Sequence, residues 1–353
     1  MKRICFVCAC FFQIAATAQP RTISACPDDS IRGWLSLYQV PGAAIGILED
    51  GKIKSMSYYG VIRPGVPVSA STIWNVASLT KPVTAATMMN MINAGKLGLD
   101  EPIFPYFIDP DIKDEPWARE LTPRIFLSHQ TGFKNWRRLE PDHKLRFNFE
   151  PGHGYHYSGL GYEYLRKAVE KKSGMNLQQL AAAYVFRRAG MRETYFGWSD
   201  VLDSNRFAWG YAVSGKRYDF QYKDLNAADW LVTTIEDYCR FGSFVMAGEG
   251  ISKKLFRQVT RIQVRMDTIA AHHENGMGLG WEVVRGLPHQ EYALAHNGSD
   301  DGVATFVLLL PVSKRGIVIF TNGDAGEKFI AAVVKGARID LEPELAASLR
   351  EFQ

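Results

Sequence analysis

The sequence predicts an α+β fold: one antiparallel sheet built from both chain ends and flanked by helices, with a mostly helical inserted domain. Three observations carry that expectation. Strand patterns gather near the start of the chain, a second set gathers near its end, and the stretch between them follows helical spacing. At 353 residues the chain is long enough for about two domains. On this reading the α/β part comprises about 19–75 and 275–353, and the helical insertion about 76–274.

The first eighteen residues read as an address rather than as structure. Lys2 and Arg3 precede an apolar run from Ile4 to Ala15, and Ala16-Thr17-Ala18 supplies small residues for cleavage before Gln19. This is the layout of a secretory signal peptide over 1–18, so the mature chain is expected to be exported, periplasmic or secreted. The run is too short to span a bilayer, and no later stretch reaches ~18 apolar residues, so no membrane span is expected.

Next, Ala43–Leu48 is apolar, Asp50-Gly51 is a strong turn pair, and a second strand runs to Tyr59, which predicts a hairpin over 43–60. Ala85, Met88, Met89 and Ile92 fall at i, i+3, i+4 and i+7, with Gly95 as a stop, and predict a helix. Glu101–Trp117 is rich in proline and aromatic residues and reads as a surface loop. Tyr162–Lys172 and Leu177–Ala189 predict further helices. Strands follow at Gly280–Val284 and Tyr292–Ala295, then at Val303–Leu310 and Gly316–Thr321. A helix from about Glu327 to Ala337 completes the pattern.

Composition narrows the function classes. Apolar residues at 46% and charged residues at 22% are an ordinary globular mix. The formal charge of +4 is mild, and no block of five Lys or Arg occurs, which argues against nucleic acid as a partner. Cys5, Cys8 and Cys10 leave with the leader, so Cys26 and Cys239 remain. They read as unpaired or buried thiols, with a disulfide as the alternative.

There is no GxSxG elbow, phosphate loop, HExxH or dinucleotide fingerprint, and no cofactor is expected. Gly276-Met277-Gly278-Leu279-Gly280 leads into a strand and reads as a flexible lead-in. Asp109-Pro110-Asp111 starts like a calcium loop, but Lys113 and Asp114 stand where a ligand and a glycine are needed. Neither His153 with His156 nor His272 with His273 has a third ligand nearby, so no metal is expected.

Three short elements bear on chemistry. In Asn75-Val76-Ala77-Ser78-Leu79-Thr80-Lys81, Pro82 is tolerated only in a first helical turn and so places the helix start close to Ser78. At i and i+3 the Lys81 amine reaches the Ser78 hydroxyl. The positive end of the helix dipole favours an alkoxide and disfavours an ammonium there, so a desolvated Lys81 becomes a base beside a nucleophile. In the second element, Tyr157-Ser158-Gly159, a Gly- and Pro-rich loop projects Tyr157 toward a cleft. A phenol beside an ammonium has its ionised form stabilised and can relay a proton. The third is His296-Asn297-Gly298-Ser299 at a strand end. A glycine there lets a substrate lie along the strand, and the Ser299 and Ser78 N–H groups would supply two oxyanion donors. His296 would add a hydrogen-bonding or partly positive group.

In this order and spacing the three elements resemble the serine β-lactamase and penicillin-binding-protein superfamily. The likeness is greatest to its class C-like branch of β-lactamases, D-Ala-D-Ala carboxypeptidases, D-aminopeptidases and esterases. It runs from about Pro41 to Asn322. Leu121–Arg124, Leu127–Phe133, Thr233–Tyr238, Met277–Trp281 and Thr321-Asn322 support it. The resemblance implies a β-lactamase/transpeptidase-like fold and an exported serine hydrolase that cleaves an ester or amide of a small molecule or short peptide. By it Ser78 is the acylated nucleophile, Lys81 its base partner and Tyr157 the proton relay. His296, Asn297 and Gly298 form the substrate-binding strand motif, and His129 lies in a stretch that is structural in such relatives.

Two departures bear on substrate. Gly159 stands where many relatives carry an asparagine that binds the substrate's amide, and His296 stands where class C β-lactamases carry a lysine. Both count against an efficient cephalosporinase and leave the acyl-transfer machinery untouched. Two alternatives stay open: a β-lactamase proper or penicillin-binding carboxypeptidase, and a non-catalytic module that binds cell-wall peptides.

Overall fold

A computed structural model describes residue 23 and residues 25–219, 224–266 and 274–337. The expected leader over 1–18 and the His272-His273 pair lie outside the described residues. Twelve strands are found among the described residues: β1 (Gly42–Glu49), β2 (Lys52–Arg63), β3 (Val66–Pro67), β4 (Trp74–Asn75), β5 (Tyr195–Phe196), β6 (Leu231–Thr233), β7 (Val264–Arg265), β8 (Glu274–Met277), β9 (Glu282–Arg285), β10 (Ala293–Asp300), β11 (Val303–Leu310) and β12 (Arg315–Thr321). Nine form an antiparallel sheet in the order β3-β2-β1-β12-β11-β10-β9-β8-β7. A small second sheet runs β4-β6-β5.

The expected α+β architecture follows from two features of the chain. The β1–β2 turn needs two residues at positive φ, and Asp50 and Gly51 adopt 51° and 74°, the geometry that matches the twist of a hairpin. Strand β1 then pairs with β12, Ala43 opposite Thr321, which joins the two chain ends in mid-sheet.

Alternate residues of these strands enter different cores. Ala43, Ile45, Ile47, Ile317 and Ile319 face one cluster, while Ala44, Leu48, Val318 and Phe320 face the other. With both faces covered, β11 and β12 are buried throughout and read as mostly apolar runs, broken only by Thr305, Arg315 and Thr321. Helices Asp28–Tyr38 and Gly326–Gly336 cover the outer face through Ile31, Leu35, Phe329 and Val333.

Helix Ile235–Ala247 lies against the inner face. Its Cys239 fills the space over Gly46, where an added Cβ would fall far inside contact with Sγ. Cys26 is buried in the outer cluster and Cys239 in the inner one, and both thiols are free.

Three local expectations are refined. Leu177–Ala189 is one helical run, with a π turn at Ala182–Phe186 inside it. Asp109 and Asp111, where no complete calcium loop was expected, ion-pair with Arg137. In the glycine-rich 276–280 stretch, Gly276 and Met277 end β8, and the rest makes the tight turn that leads into β9. Gly280 has φ 83°, donates its N–H to Leu127 O at 2.8 Å, and lies so close to Ala85 that a Cβ would overlap it.

Candidate active site

Ala77–Leu79 forms a 3-10 turn that runs into helix Thr80–Asn93, with Pro82 in the first turn as its sequence position requires. The turn is pinned on several sides. Ala77 N–H donates to Asn75 Oδ1 (2.9 Å), Thr80 Oγ1 to Ala77 O (2.6 Å), and the Tyr238 hydroxyl to Leu79 O (2.8 Å). Ala77 itself has φ 46°. A non-glycine residue in this left-handed region costs roughly 1–2 kcal/mol, so strain is held one residue before Ser78.

Lys81 is fully buried, and its Nζ donates to Ser78 Oγ at 2.9 Å and to Ala228 O at 2.8 Å. The Ser78 hydroxyl donates in turn to Asp229 Oδ1 at 3.3 Å. Burial disfavours the ammonium and brings Lys81 down to about 8, against the upward pull of Asp229 and Glu163. Asp229 is raised to about 6, by burial first and then by Asp300, while Lys81, Ser78 and Arg138 favour its charged form.

The Tyr157 ring lies beside Lys81, with Nζ 4.7 Å from the ring centroid. His129 stacks on Tyr157 at 4.4 Å, and its Nδ1 accepts the Ser158 N–H at 3.0 Å. Burial, together with Lys81 and His296, holds His129 neutral, so it fixes the loop without adding charge. Ser158 caps helix Gly159–Ser173 by accepting from Gly161 N–H at 3.0 Å.

Burial pushes the Tyr157 phenol well above its ordinary value, Asp229 adds to this, and a hydrogen bond with Ser78 opposes it. Burial thus works against the stabilised phenolate expected from the sequence and favours the protonated phenol. Gly159 has no room for a side chain. A Cβ there would come 2.7 Å from the Trp136 ring and 3.1 Å from Asn135 Oδ1, which accepts the Gly159 N–H at 2.7 Å.

Strand β9 pairs with β10 only over Ala293–Ala295, so His296 onward runs past that partner and lies against the Ser78 turn. A Cβ on Gly298 would stand 2.5 Å from Val76 O and 3.0 Å from Ser78 N. That close approach sets the Ser78 N–H beside the β10 edge, where Ser299 is exposed and Asn297 half-buried. His296 Nδ1 donates to Asn297 O at 2.6 Å, and the ring centroid lies 6.3 Å from that of Tyr157. Burial and Lys81 bring His296 down to about 3, so it is a neutral imidazole and not the partly positive group allowed for in the sequence.

The fold thus brings Ser78, Lys81, Tyr157 and the His296–Ser299 edge together. It also adds Asp229, which sequence reasoning missed. Asp229 lies 151 residues from Ser78 and belongs to no spacing motif; only the neighbouring Thr233–Tyr238 stretch marked its surroundings. Among the described residues, no group of three His, Cys, Asp or Glu is arranged to hold a metal. No described helix is long and apolar enough to cross a membrane.

A family model described as Beta-lactamase matches residues 25–335. Penicillin-binding protein 4* of Bacillus subtilis (strain 168) is 25% identical over 320 residues, covering 77% of this chain. The chain spans only 65% of that relative's length. The D-amino acid amidase of Ochrobactrum anthropi SV3, complexed with L-phenylalanine, superposes with a TM-score of 0.72 at 19% identity, covering 89% of this chain and 98% of its own. The D-alanine carboxypeptidase AmpC of Burkholderia cenocepacia superposes with a TM-score of 0.69 at 22% identity, covering 87% and 97%. At such identities the likeness is one of fold.

Proposed function

Because the chain belongs to the Beta-lactamase family, we propose that it is an exported serine hydrolase that cleaves an ester or amide through an acyl-enzyme on Ser78. The contact between Lys81 Nζ and Ser78 Oγ, 2.9 Å long and made by a fully buried lysine, carries this reading. A lysine kept desolvated at the start of a core helix is costly to fold around, and it has chemical use only beside a reacting group.

Ser78 Oγ attacks the substrate carbonyl, and the oxyanion is held by the Ser78 and Ser299 N–H groups. Lys81 polarises the serine oxygen. The protonated Tyr157 phenol donates to the leaving group, and water then releases the acid. His296, Asn297 and Gly298 line the edge along which a small-molecule or short-peptide substrate lies. An amidase and a carboxypeptidase among the structural neighbours support ester or amide cleavage.

Two other readings are less favoured. A β-lactamase proper or penicillin-binding carboxypeptidase must anchor a substrate carboxylate, and His296 brings no charge to that task. A cell-wall peptide-binding module has no use for the buried Ser78–Lys81 pair. The test is labelling of the purified protein with a fluorophosphonate. Wild type is expected to take up one probe per chain and Ser78→Ala none. Equal labelling of the two proteins rules out Ser78 as nucleophile, and no labelling of wild type favours the binding module.

A further inference from the structure

We propose that Asp229 is the base that takes the Ser78 proton, a role that rests on the reading of Ser78 as nucleophile. A hydroxyl has one proton to give. Ser78 Oγ accepts from Lys81 Nζ, and its own O–H points at Asp229 Oδ1, 3.3 Å away. At about 8, Lys81 is mostly ammonium at neutral pH, with three donors and no free lone pair, and only its minor neutral form is able to receive that proton. The Tyr157 phenol is neutral and a poor base. The carboxylate is the acceptor toward which the Ser78 O–H is directed.

The loop that carries Asp229 is tied to the helix that carries Lys81. Thr84 Oγ1 donates to Ala227 O (2.7 Å), Lys81 Nζ to Ala228 O (2.8 Å), and Leu231 N–H to Thr80 Oγ1 (2.9 Å). Within the loop, Asn226 Oδ1 accepts the N–H groups of Ala228 (2.7 Å) and Asp229 (3.0 Å). Hydrogen bonds thus tie the loop that holds Asp229 to the helix that follows Ser78, as the positioning of a base beside its nucleophile requires. The charged groups around the carboxylate are Lys81 on the helix, Asp300 on β10 and Arg138 in the 3-10 turn Arg137–Leu139. Lys81 and Arg138 favour its ionised form, and Asp300 opposes it. Glu163 faces Lys81 from helix Gly159–Ser173.

The steps balance with water as the only co-reactant. As the C–Oγ bond forms, the Ser78 O–H breaks and its proton moves to Asp229, while the carbonyl electrons go to the oxyanion. Collapse breaks the bond to the leaving group, which takes the Tyr157 proton, and Asp229 reprotonates Tyr157. Water then attacks the acyl carbon and gives a proton to Asp229. The C–Oγ bond breaks, and Oγ takes that proton back.

The experiment follows the rate of fluorophosphonate labelling from pH 4.5 to 9 in wild type, Asp229→Asn and Asp229→Glu. Fluoride leaves without a proton, so the rate reports serine activation alone. Wild type is expected to rise through a half-point near pH 6, where Asp229 titrates. Asp229→Asn is expected to lose that rise and to label about 100-fold more slowly at pH 7, with Asp229→Glu restoring part of both.

Labelling of Asp229→Asn within threefold of wild type, with the same pH profile, overturns the proposal. Should that variant fail to fold, a wild-type rate that does not rise between pH 4.5 and 7 overturns it instead. If Ser78→Ala is silent while Asp229→Asn behaves as wild type, only this inference falls. If Ser78→Ala labels normally, the hydrolase reading beneath it falls.

Discussion

Glu282 sits on β9 opposite Ala295, one residue from His296, with Asn275 Nδ2 donating to its Oε1 at 3.0 Å. Burial raises its carboxyl to about 8, against the pull of that single hydrogen bond. The folded chain therefore prefers the protonated acid. Stability from this group is fully present below the unfolded value near 4.5 and is lost as pH rises through 8. At about 1.4 kcal/mol per pH unit, the whole effect is on the order of a few kcal/mol. Replacing Glu282 by Gln keeps the shape and removes the titration. The variant is expected to melt like wild type at pH 5 and several degrees higher at pH 8.5. Parallel melting curves across that range would show that Glu282 is not held as the neutral acid.

Residues of this kind also mark how far the sequence reaches. Ser78, Lys81 and Tyr157 were legible because local geometry, one helical turn or one Gly-rich loop, sets where they stand. Asp229 and Glu282 were not, because burial and contacts across the fold give them their chemistry.

At the scale of elements, the decisive contact is that of β10 with the 3-10 turn before helix Thr80–Asn93. Gly298 is what permits it. A Cβ there meets Val76 O and Thr305 Oγ1 at 2.5 Å, and Thr305 Oγ1 is itself bonded to Val76 O at 2.8 Å, so neither atom is free to yield. Gly298→Ala must push the strand away from Ser78 N and spread the Ser78 and Ser299 N–H groups proposed to hold the oxyanion. The expected outcome is a fluorophosphonate labelling rate lowered about 10- to 100-fold, with a stability loss of about 1–3 kcal/mol.

Gly33→Ala is the matching control. It lies in the exposed part of helix Asp28–Tyr38 with no atom within 4 Å of an added Cβ, so it should raise stability by about 0.5–1 kcal/mol and leave labelling unchanged. Labelling of Gly298→Ala at the wild-type rate would mean the close approach has no bearing on the proposed oxyanion donors. Hairpins and long strands were readable because two-residue periodicity and paired turn residues are local signals. The small sheet β4-β6-β5 was not, since strands of two or three residues are too short to show a period. The π turn at Ala182–Phe186 was equally silent, because one extra residue per turn barely moves the apolar stripe.

For the molecule as a whole, the order of elements already implied that the two chain ends meet, and the β1–β12 pairing is that meeting. What the order left open is how the sheet divides the interior. It separates an outer core, sealed by helices Asp28–Tyr38 and Gly326–Gly336, from an inner core that carries the Ser78 turn. Phe329 is fully buried in the outer core, whereas Phe320 is fully buried in the inner one, between Trp74 and Tyr238 at 6.1 and 5.7 Å. Tyr238 in turn holds Leu79 O, next to Ser78. Truncating either phenylalanine to Ala removes similar apolar volume and should cost about 3–5 kcal/mol by chemical denaturation. Their effects on chemistry should diverge. Phe329→Ala leaves a void across the sheet from the cleft, so its labelling rate is expected to match wild type at a temperature where both are folded. Phe320→Ala loosens Tyr238 and the turn it holds, so its labelling should slow several-fold under the same conditions. Equal slowing in both variants would mean that the sheet transmits the outer cavity to the site, and that the two cores act as one.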